Sequence, residues 1–238
     1  MNMNLKARMY FLPKVFLQIF LREGPGHALK FLSNYRKIRT EIRSRLSGIM
    51  EEYRLKNPGI AYQKYLDLDY WVLECMRRFY RLGLHKESAG KKILDLGTGA
   101  GYFPFVCNYY GHRAEALDVP DNEMYNNTIR ALGINRYQQY IRAFKDLDII
   151  DRYDLITGFM ICFNNHKTPQ VWHIKEWDFF LKSIAEKNLN KGGNLFFSFN
   201  AESEEEPVSR ELLGYFSNHQ AVINGCEVLL TSQSIGAN

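Results

Sequence analysis

The chain has 238 residues, 46% of them hydrophobic, 24% charged and 14% aromatic, with a net charge of +5. This is globular composition on a scale that supports a full hydrophobic core, and it excludes a disordered chain, a collagen-like repeat and a small disulfide scaffold. Cys75, Cys107, Cys162 and Cys226 lie far apart and the six histidines show neither HxH nor HxxxH spacing, so no metal site is expected and a reducing cytoplasmic setting is the default.

The charge is concentrated at the N-terminus. Residues 1–56 carry 12 Lys or Arg against four acids, a net +8, which leaves the other 182 residues at −3. That asymmetry points to an acidic partner, either an anionic membrane surface or a nucleic acid, or else to a solvated basic helix face. Met9–Leu21 is apolar apart from Lys14 and Gln18. With Arg22 these polar residues follow i, i+4, i+8 spacing, one polar stripe on a wide apolar cylinder. The run is shorter than the ~20 residues that cross a bilayer, and Gly24-Pro25-Gly26-His27 offers no signal-peptide cleavage pattern. Two fates remain: an interfacial helix, which would hold the protein peripherally at the inner face of the membrane, or a helix packed on the main domain, the commoner outcome.

A second basic helix is expected over about Tyr35–Lys56, with an apolar stripe at Ile38, Ile42, Leu46, Ile49 and Tyr53, ended by Asn57-Pro58-Gly59. A third runs from near Asp69 to Leu82, with Asp67 or Asp69 as N-cap and Gly83 beyond its end. Residues 1–60 thus read as a basic helical extension, and 61–238 as the main domain with a leading cap helix.

From residue 91 strands alternate with helices. Lys92–Leu96 runs into Gly97-Thr98-Gly99-Ala100-Gly101, and a helix over Tyr102–Tyr110 closes at Gly111. Ala114–Leu117 ends at Asp118 and precedes a helix from about Asp121 to Leu132, closed by Gly133. Tyr140–Phe144 is a weak third strand and Tyr153–Phe163 a strong fourth. An amphipathic helix over Ile174–Leu189 stops before Asn190-Lys191-Gly192-Gly193, and Leu195–Phe199 is a fifth, nearly all-apolar strand. This order argues a parallel sheet with helices on both faces. Ala221–Ile223 and Cys226–Leu230 flank Asn224-Gly225, a type I′ hairpin signal.

The glycine turn is the informative motif. A strand feeding a glycine loop and a helix N-terminus exposes backbone N–H groups where ligands bind. A dinucleotide fingerprint would place its third glycine at Tyr102, whereas here Asp95 precedes the glycines. An acid at that place suits a ligand with a free ammonium group and disfavours a pyrophosphate. Asp95-Leu96-Gly97-Thr98-Gly99-Ala100-Gly101, with Asp118 and the terminal hairpin, resembles motif I and its context in the class I S-adenosylmethionine-dependent methyltransferases, over about residues 90–232. The resemblance implies an α/β, Rossmann-like, seven-stranded, mostly parallel sheet with a C-terminal antiparallel hairpin, here preceded by an α-helical N-terminal extension. It implies S-adenosyl-L-methionine as cofactor. Asp95 would take the methionyl amino group, directly or through water. Gly97, Gly99 and Gly101 would line the methionyl and ribose parts, Thr98 is a further cofactor-binding candidate, Tyr102 with Phe103 could form an aromatic wall around cofactor or acceptor, and Asp118 would accept both ribose hydroxyls. Asp146, or Asp148 in a shifted register, would approach the adenine amino group, and Phe159 in strand four is a further cofactor-binding candidate.

The segment after strand four should face the transferred methyl group. Cys162-Phe163-Asn164 and Glu176-Trp177-Asp178-Phe179-Phe180-Leu181 also resemble a group of bacterial methyltransferases. His166 is expected as base or acceptor-orienting group, since its pKa lies near neutrality, with Asn164 positioning the acceptor and His173 a second choice. Cys162 and Trp177 read as core, and Trp172 is left open. Tyr62, Tyr65, Tyr70 and Trp71 are pocket candidates from the leading helix. The functional expectation is methyl transfer to a small molecule, a glycan or a lipid-linked glycan hydroxyl. The alternatives are RNA methylation using the basic arm, and cofactor binding without catalysis.

Overall fold

The computed structural model describes residues 5–56, 61–161, 172–199 and 209–235. Their contacts form two units. One holds the described residues up to Ala89 with Gly99–His112 and Asn122–Asn135; the other holds Gly90–Thr98, Arg113–Asp121 and the described residues from Arg136 onward.

The second unit is built on strands β1 (Lys92–Leu96), β2 (Arg113–Asp118), β3 (Arg136–Gln138), β4 (Tyr153–Phe159), β5 (Leu189–Ser198), β6 (Val222–Asn224) and β7 (Glu227–Thr231). They make one seven-stranded sheet in the order β3-β2-β1-β4-β5-β7-β6. The pairs from β3 to β5 are parallel, and β5-β7 and β7-β6 are antiparallel. The expected mostly parallel sheet with a terminal hairpin is therefore present. One face carries Leu94, Leu96, Leu117, Ile156, Leu195 and Phe197, packed with Trp177, Phe180 and Leu181 of α6 (Ile174–Lys187) and Leu212 and Phe216 of α7 (Arg210–Asn218). Trp177 is fully buried, ringed by Trp172, Phe180, Phe197, Phe199 and Phe216 with centroids 5.4–6.1 Å away. Trp177 is thus core as expected, and the same packing makes Trp172 core.

Within the sheet, four boundaries differ from expectation, each for a local reason. The third strand is Arg136–Gln138 rather than Tyr140–Phe144. It is a short, half-buried edge strand without an apolar pattern, while Tyr140 and Phe144 are exposed and Phe144 has φ of 55°. The fourth strand stops at Phe159; Met160 takes a φ of 58° although its N–H still donates to the Ser198 carbonyl at 2.7 Å. The fifth begins at Leu189, so Asn190-Lys191-Gly192-Gly193 lies inside it and is not a turn. Its register against β4 shifts between Tyr153 and Leu155. At Gly193 a Cβ would come within 2.9 Å of the Asn190 carbonyl and 3.0 Å of the Tyr153 carbonyl, which is how a glycine accommodates a bulge. Finally, Asn224 pairs with Glu227, so Gly225 and Cys226 are the turn residues. Gly225 has φ of 60° and no such value occurs at Asn224 or Cys226, a glycine-first turn of the II′ kind rather than I′.

The first unit is helical: α1 (Leu5–Glu23), α2 (Pro25–Lys56), a 3-10 segment (Ala61–Leu66), α3 (Leu68–Arg81), α4 (Tyr102–Tyr109) and α5 (Glu123–Leu132). The second helix begins at Pro25 rather than near Tyr35, because proline suits a first helical turn. It buries Ala28, Phe31, Tyr35, Ile38, Ile42, Leu46 and Met50, a continuous stripe at three- and four-residue spacing. Polar ties secure it: Arg45 donates to the Leu132 carbonyl (3.2 Å), Asn127 to the Tyr53 hydroxyl (3.1 Å), and Arg39 pairs with Asp69 (2.7 Å). α1 is packed through Val15 and Ile19. In α5, Asn122 caps the N-terminus by accepting from the Tyr125 N–H (3.1 Å) and Gly133 ends the helix as expected. Among the described residues no helix is long and apolar enough to cross a membrane. The stop at Asn57-Pro58-Gly59 lies outside the described residues.

Candidate functional site

Asp95 is nearly the last residue of β1 and is buried. Each of its oxygens receives a hydroxyl: Thr98 Oγ1 donates to Oδ2 and Thr157 Oγ1 to Oδ1, both at 2.7 Å. Thr157 sits directly opposite in register on β4, and Ala116 is opposite on β2. Residues in register on parallel strands share a face, so Asp95, Thr157, Ala116 and, by alternation, Asp118 lie on one side of the sheet. That is the side away from the Trp177 core. An ionised carboxylate has about four acceptor positions, and these hydroxyls take two of them. Thr157 was not singled out from the sequence; its signal was a lone hydroxyl within an apolar strand.

The chain leaves β1 through Gly97, Gly99 and Gly101, whose φ values are 65°, 60° and 79°. At Gly97 a Cβ would also meet Ile161 Cγ2 at 2.7 Å. The expectation that this turn presents its first N–H groups to a ligand is corrected. Gly97 N–H and Thr98 N–H both donate to the Leu117 carbonyl, at 2.8 and 3.3 Å. They tie the turn to the end of β2.

Asp118 ends β2, buried, with Oδ1 accepting from the Val119 N–H at 2.7 Å. Arg136, at the start of β3, donates to the Val119 carbonyl. Burial lowers the Arg136 pKa and the Asp118 charge acts against that fall. Arg136 thus ties β3 to the residue that follows Asp118, a contact that the sequence pattern did not disclose.

Other expected residues are placed elsewhere. Asp146 is engaged by α6: Ser183 Oγ and Lys187 Nζ both donate to it. The Lys187 bond, then the Ser183 bond, hold its pKa below the ordinary range. This exposed pair occupies the carboxylate in an ordinary surface role. Asp148 takes part through its backbone N–H, which donates to Gln139 Oε1 (2.9 Å). Phe159 is buried with its ring against Phe196, centroids 5.6 Å apart. Tyr102 is buried in the helical unit, its hydroxyl donating to the Tyr65 carbonyl at 2.8 Å, and burial pushes its pKa far up. His173 is the N-cap of α6, its backbone N–H donating to Glu176 (2.9 Å). His166, Asn164 and Cys162 lie outside the described residues.

Within the helical unit, Tyr65 is the centre of an aromatic group. Its ring lies 4.7 Å from Trp71 and 5.5 Å from Tyr125, and Tyr70 is 5.0 Å from Trp71. Trp71 Nε1 donates to the Lys64 carbonyl at 2.8 Å. A Cβ on Gly99 would stand 3.8 Å from the Tyr125 ring, so the turn's middle glycine borders this group. Tyr65, Tyr70 and Trp71 are thus together as a cluster, and Tyr125 joins them unforeseen. No group of three or more His, Cys, Asp or Glu suited to a metal ion occurs among the described residues.

No family model and no curated protein matches the sequence. Solved structures do. One is a TehB-like SAM-dependent methyltransferase from Corynebacterium glutamicum (16% identity, TM-score 0.45, covering 63% of this chain and 83% of that one). Another is an SAM-bound amino pentose methyltransferase from Micromonospora echinaspora (16%, 0.41, 63% and 56%). A third, from Aquifex aeolicus, is an SAM-dependent methyltransferase (18%, 0.43, 64% and 87%). The chain spans about half the length of the first structure it matches, 46%.

Proposed function

We propose that the chain is an S-adenosyl-L-methionine-dependent methyltransferase. The observation that carries this reading is the pair of buried carboxylates, Asp95 and Asp118, at the C-terminal ends of adjacent parallel strands and on one sheet face. A pyrophosphate would meet two negative charges there, at a place where low dielectric magnifies repulsion. A ligand with an ammonium group and vicinal hydroxyls would meet acceptors instead. The donor set fits S-adenosylmethionine in that respect. Asp95, fixed by Thr98 and Thr157, would hold the amino group, and Asp118 the ribose hydroxyls. Gly97, Gly99 and Gly101 would keep the turn free of side chains. Asp146, Phe159 and Tyr102 have other engagements and are not assigned to the cofactor.

When bound, S-adenosylmethionine supplies an activated methyl group. The chain's own task is then to orient the acceptor and to exclude water. In this reading the acceptor is a small molecule, a glycan or a lipid-linked glycan bearing a hydroxyl. We assign removal of the acceptor proton to His166 and positioning of the acceptor to Asn164, on the chemistry of those side chains.

The test has two parts. Titration calorimetry should show binding of S-adenosylmethionine and S-adenosylhomocysteine, and retention of a nicotinamide dinucleotide instead would overturn the reading. Tritiated methyl transfer into a lysate fractionated into lipid, glycan, protein and RNA should label the glycan, lipid or small-molecule fraction. Label in RNA would favour the basic arm as an RNA guide, and binding with no label anywhere would favour a non-catalytic role.

A further inference from the structure

We propose that the outward face of α1 docks on a bilayer surface containing anionic phospholipid. The proposal stands on the helical unit alone and is independent of the enzymatic reading. α1 is apolar on two sides. Val15 and Ile19 face the unit's core at 1% and 6% exposure, whereas Leu17, Phe20 and Leu21 are 54%, 41% and 74% exposed. Residues at i, i+3 and i+4 gather on one arc of a helix, and the Phe16 and Phe20 rings, 6.5 Å apart, extend it. Leu29, at the start of α2, adds another exposed apolar side chain (63%). Contiguous apolar surface of this kind marks an interaction site in a monomeric protein.

The flanks are cationic. Lys14 and Arg22 on α1, and Lys30, Arg36 and Lys37 on α2, are exposed. A cleft of about 620 Å³ beside Leu21 is lined by Gln18, Ile19, Arg22, Arg77 and Arg81. Arg77 pairs with Glu74 at 2.6 Å and Arg22 with Glu23 at 3.2 Å. Cations around an exposed apolar arc match a surface that is anionic at headgroup depth and apolar beneath it. A nucleic acid would answer the charges and offer no apolar phase to Leu17 and Leu21. A second copy would answer the apolar arc and bring a like-charged arm against this one. Phospholipid satisfies both, with headgroup phosphate at the exposed lysines and the Leu17, Phe20 and Leu21 side chains in the acyl boundary.

Flotation of the full chain with mixed phosphatidylglycerol–phosphatidylcholine vesicles, and with phosphatidylcholine alone, tests this. Binding is expected to the mixed vesicles and to fall steeply with added salt. Lys30→Ala and Lys37→Ala should each weaken it about fivefold. Leu17→Glu with Leu21→Glu should abolish it at an unchanged melting temperature, these side chains being exposed. Absence of flotation with anionic vesicles overturns the proposal, as does unaltered flotation of both pairs of variants. A concentration-dependent dimer in sedimentation that Leu17→Glu and Leu21→Glu dissolve would overturn it in favour of self-association. RNA capture without vesicle binding would overturn it in favour of nucleic acid.

Discussion

Gly97→Ala separates two costs that the structure places on one atom. A non-glycine residue at φ of 65° loses about 1–2 kcal/mol to left-handed backbone geometry. The new methyl would also stand 2.7 Å from Ile161 Cγ2, and overpacking of that kind costs about 1–3 kcal/mol. Together they predict destabilisation of roughly 2–5 kcal/mol, a large share of a typical total. Gly99→Ala is the internal control: its φ is 60°, but the nearest atom to its Cβ is 3.8 Å away, so only the backbone cost of about 1–2 kcal/mol applies. The clash is isolated by a double-mutant cycle of Gly97→Ala with Ile161→Ala, read from guanidinium midpoints at constant slope. Removing Cγ2 should make the double variant about 1–3 kcal/mol more stable than the summed single changes predict. Additivity within about 0.5 kcal/mol, or equal losses for Gly97→Ala and Gly99→Ala, would refute the close approach.

Three further outcomes follow from the polar contacts. Asp118→Ala should weaken S-adenosylmethionine binding by about 1.5–3 kcal/mol in calorimetry, and unchanged affinity would remove it from the ribose site. Thr157→Val, nearly isosteric, withdraws the donor 2.7 Å from Asp95 Oδ1; it should lower stability by about 1–3 kcal/mol, measured by thermal melting. Glu74 supplies a pH test. Burial pushes its carboxyl up, but the Arg77 hydrogen bonds and the Arg78 and Arg77 charges outweigh this, and the net shift is down from 4.5. A carboxyl lowered in the folded state contributes stability that is present above its unfolded value and lost as pH falls through the folded one. Glu74→Gln should therefore reduce stability at neutral pH and flatten the decline in stability below about pH 4.5, whereas a decline parallel to that of the parent chain would contradict the ion cluster.

Elements whose signal is carried by neighbouring residues were readable from the chain. β1 with its glycine turn, β2 ending at Asp118, α5 between Asn122 and Gly133, and Trp177 as a core residue all rest on patterns shorter than a helical turn or two. The misplaced elements are those whose conformation is decided by a partner strand. β3 has no apolar alternation because it is an edge, and its pairing with β2 alone defines it. The glycines at 192 and 193 look like a turn, yet the register shift against β4 draws them into β5. The hairpin was recognised, but Asn224 was drawn into the ladder by Glu227, which moved the turn one residue onward.

The candidate site divides along the same line. Asp95 and Asp118 were visible because each ends an apolar strand, and strand ends of a parallel sheet are where ligands collect. What holds them was invisible. Thr157 is 62 residues from Asp95, and no periodicity links a hydroxyl on β4 to a carboxylate on β1 before the strand order is known. Arg136 likewise reaches the Asp118 turn only because β3 lies beside β2. The donors to Asp146 were equally invisible: a serine and a lysine one turn apart on α6 bond its carboxylate. Asp95, held by the hydroxyls of Thr98 in its own turn and Thr157 on the paired strand, is the stronger anchor for a ligand ammonium, and its replacement should cost more affinity than any change at Asp146.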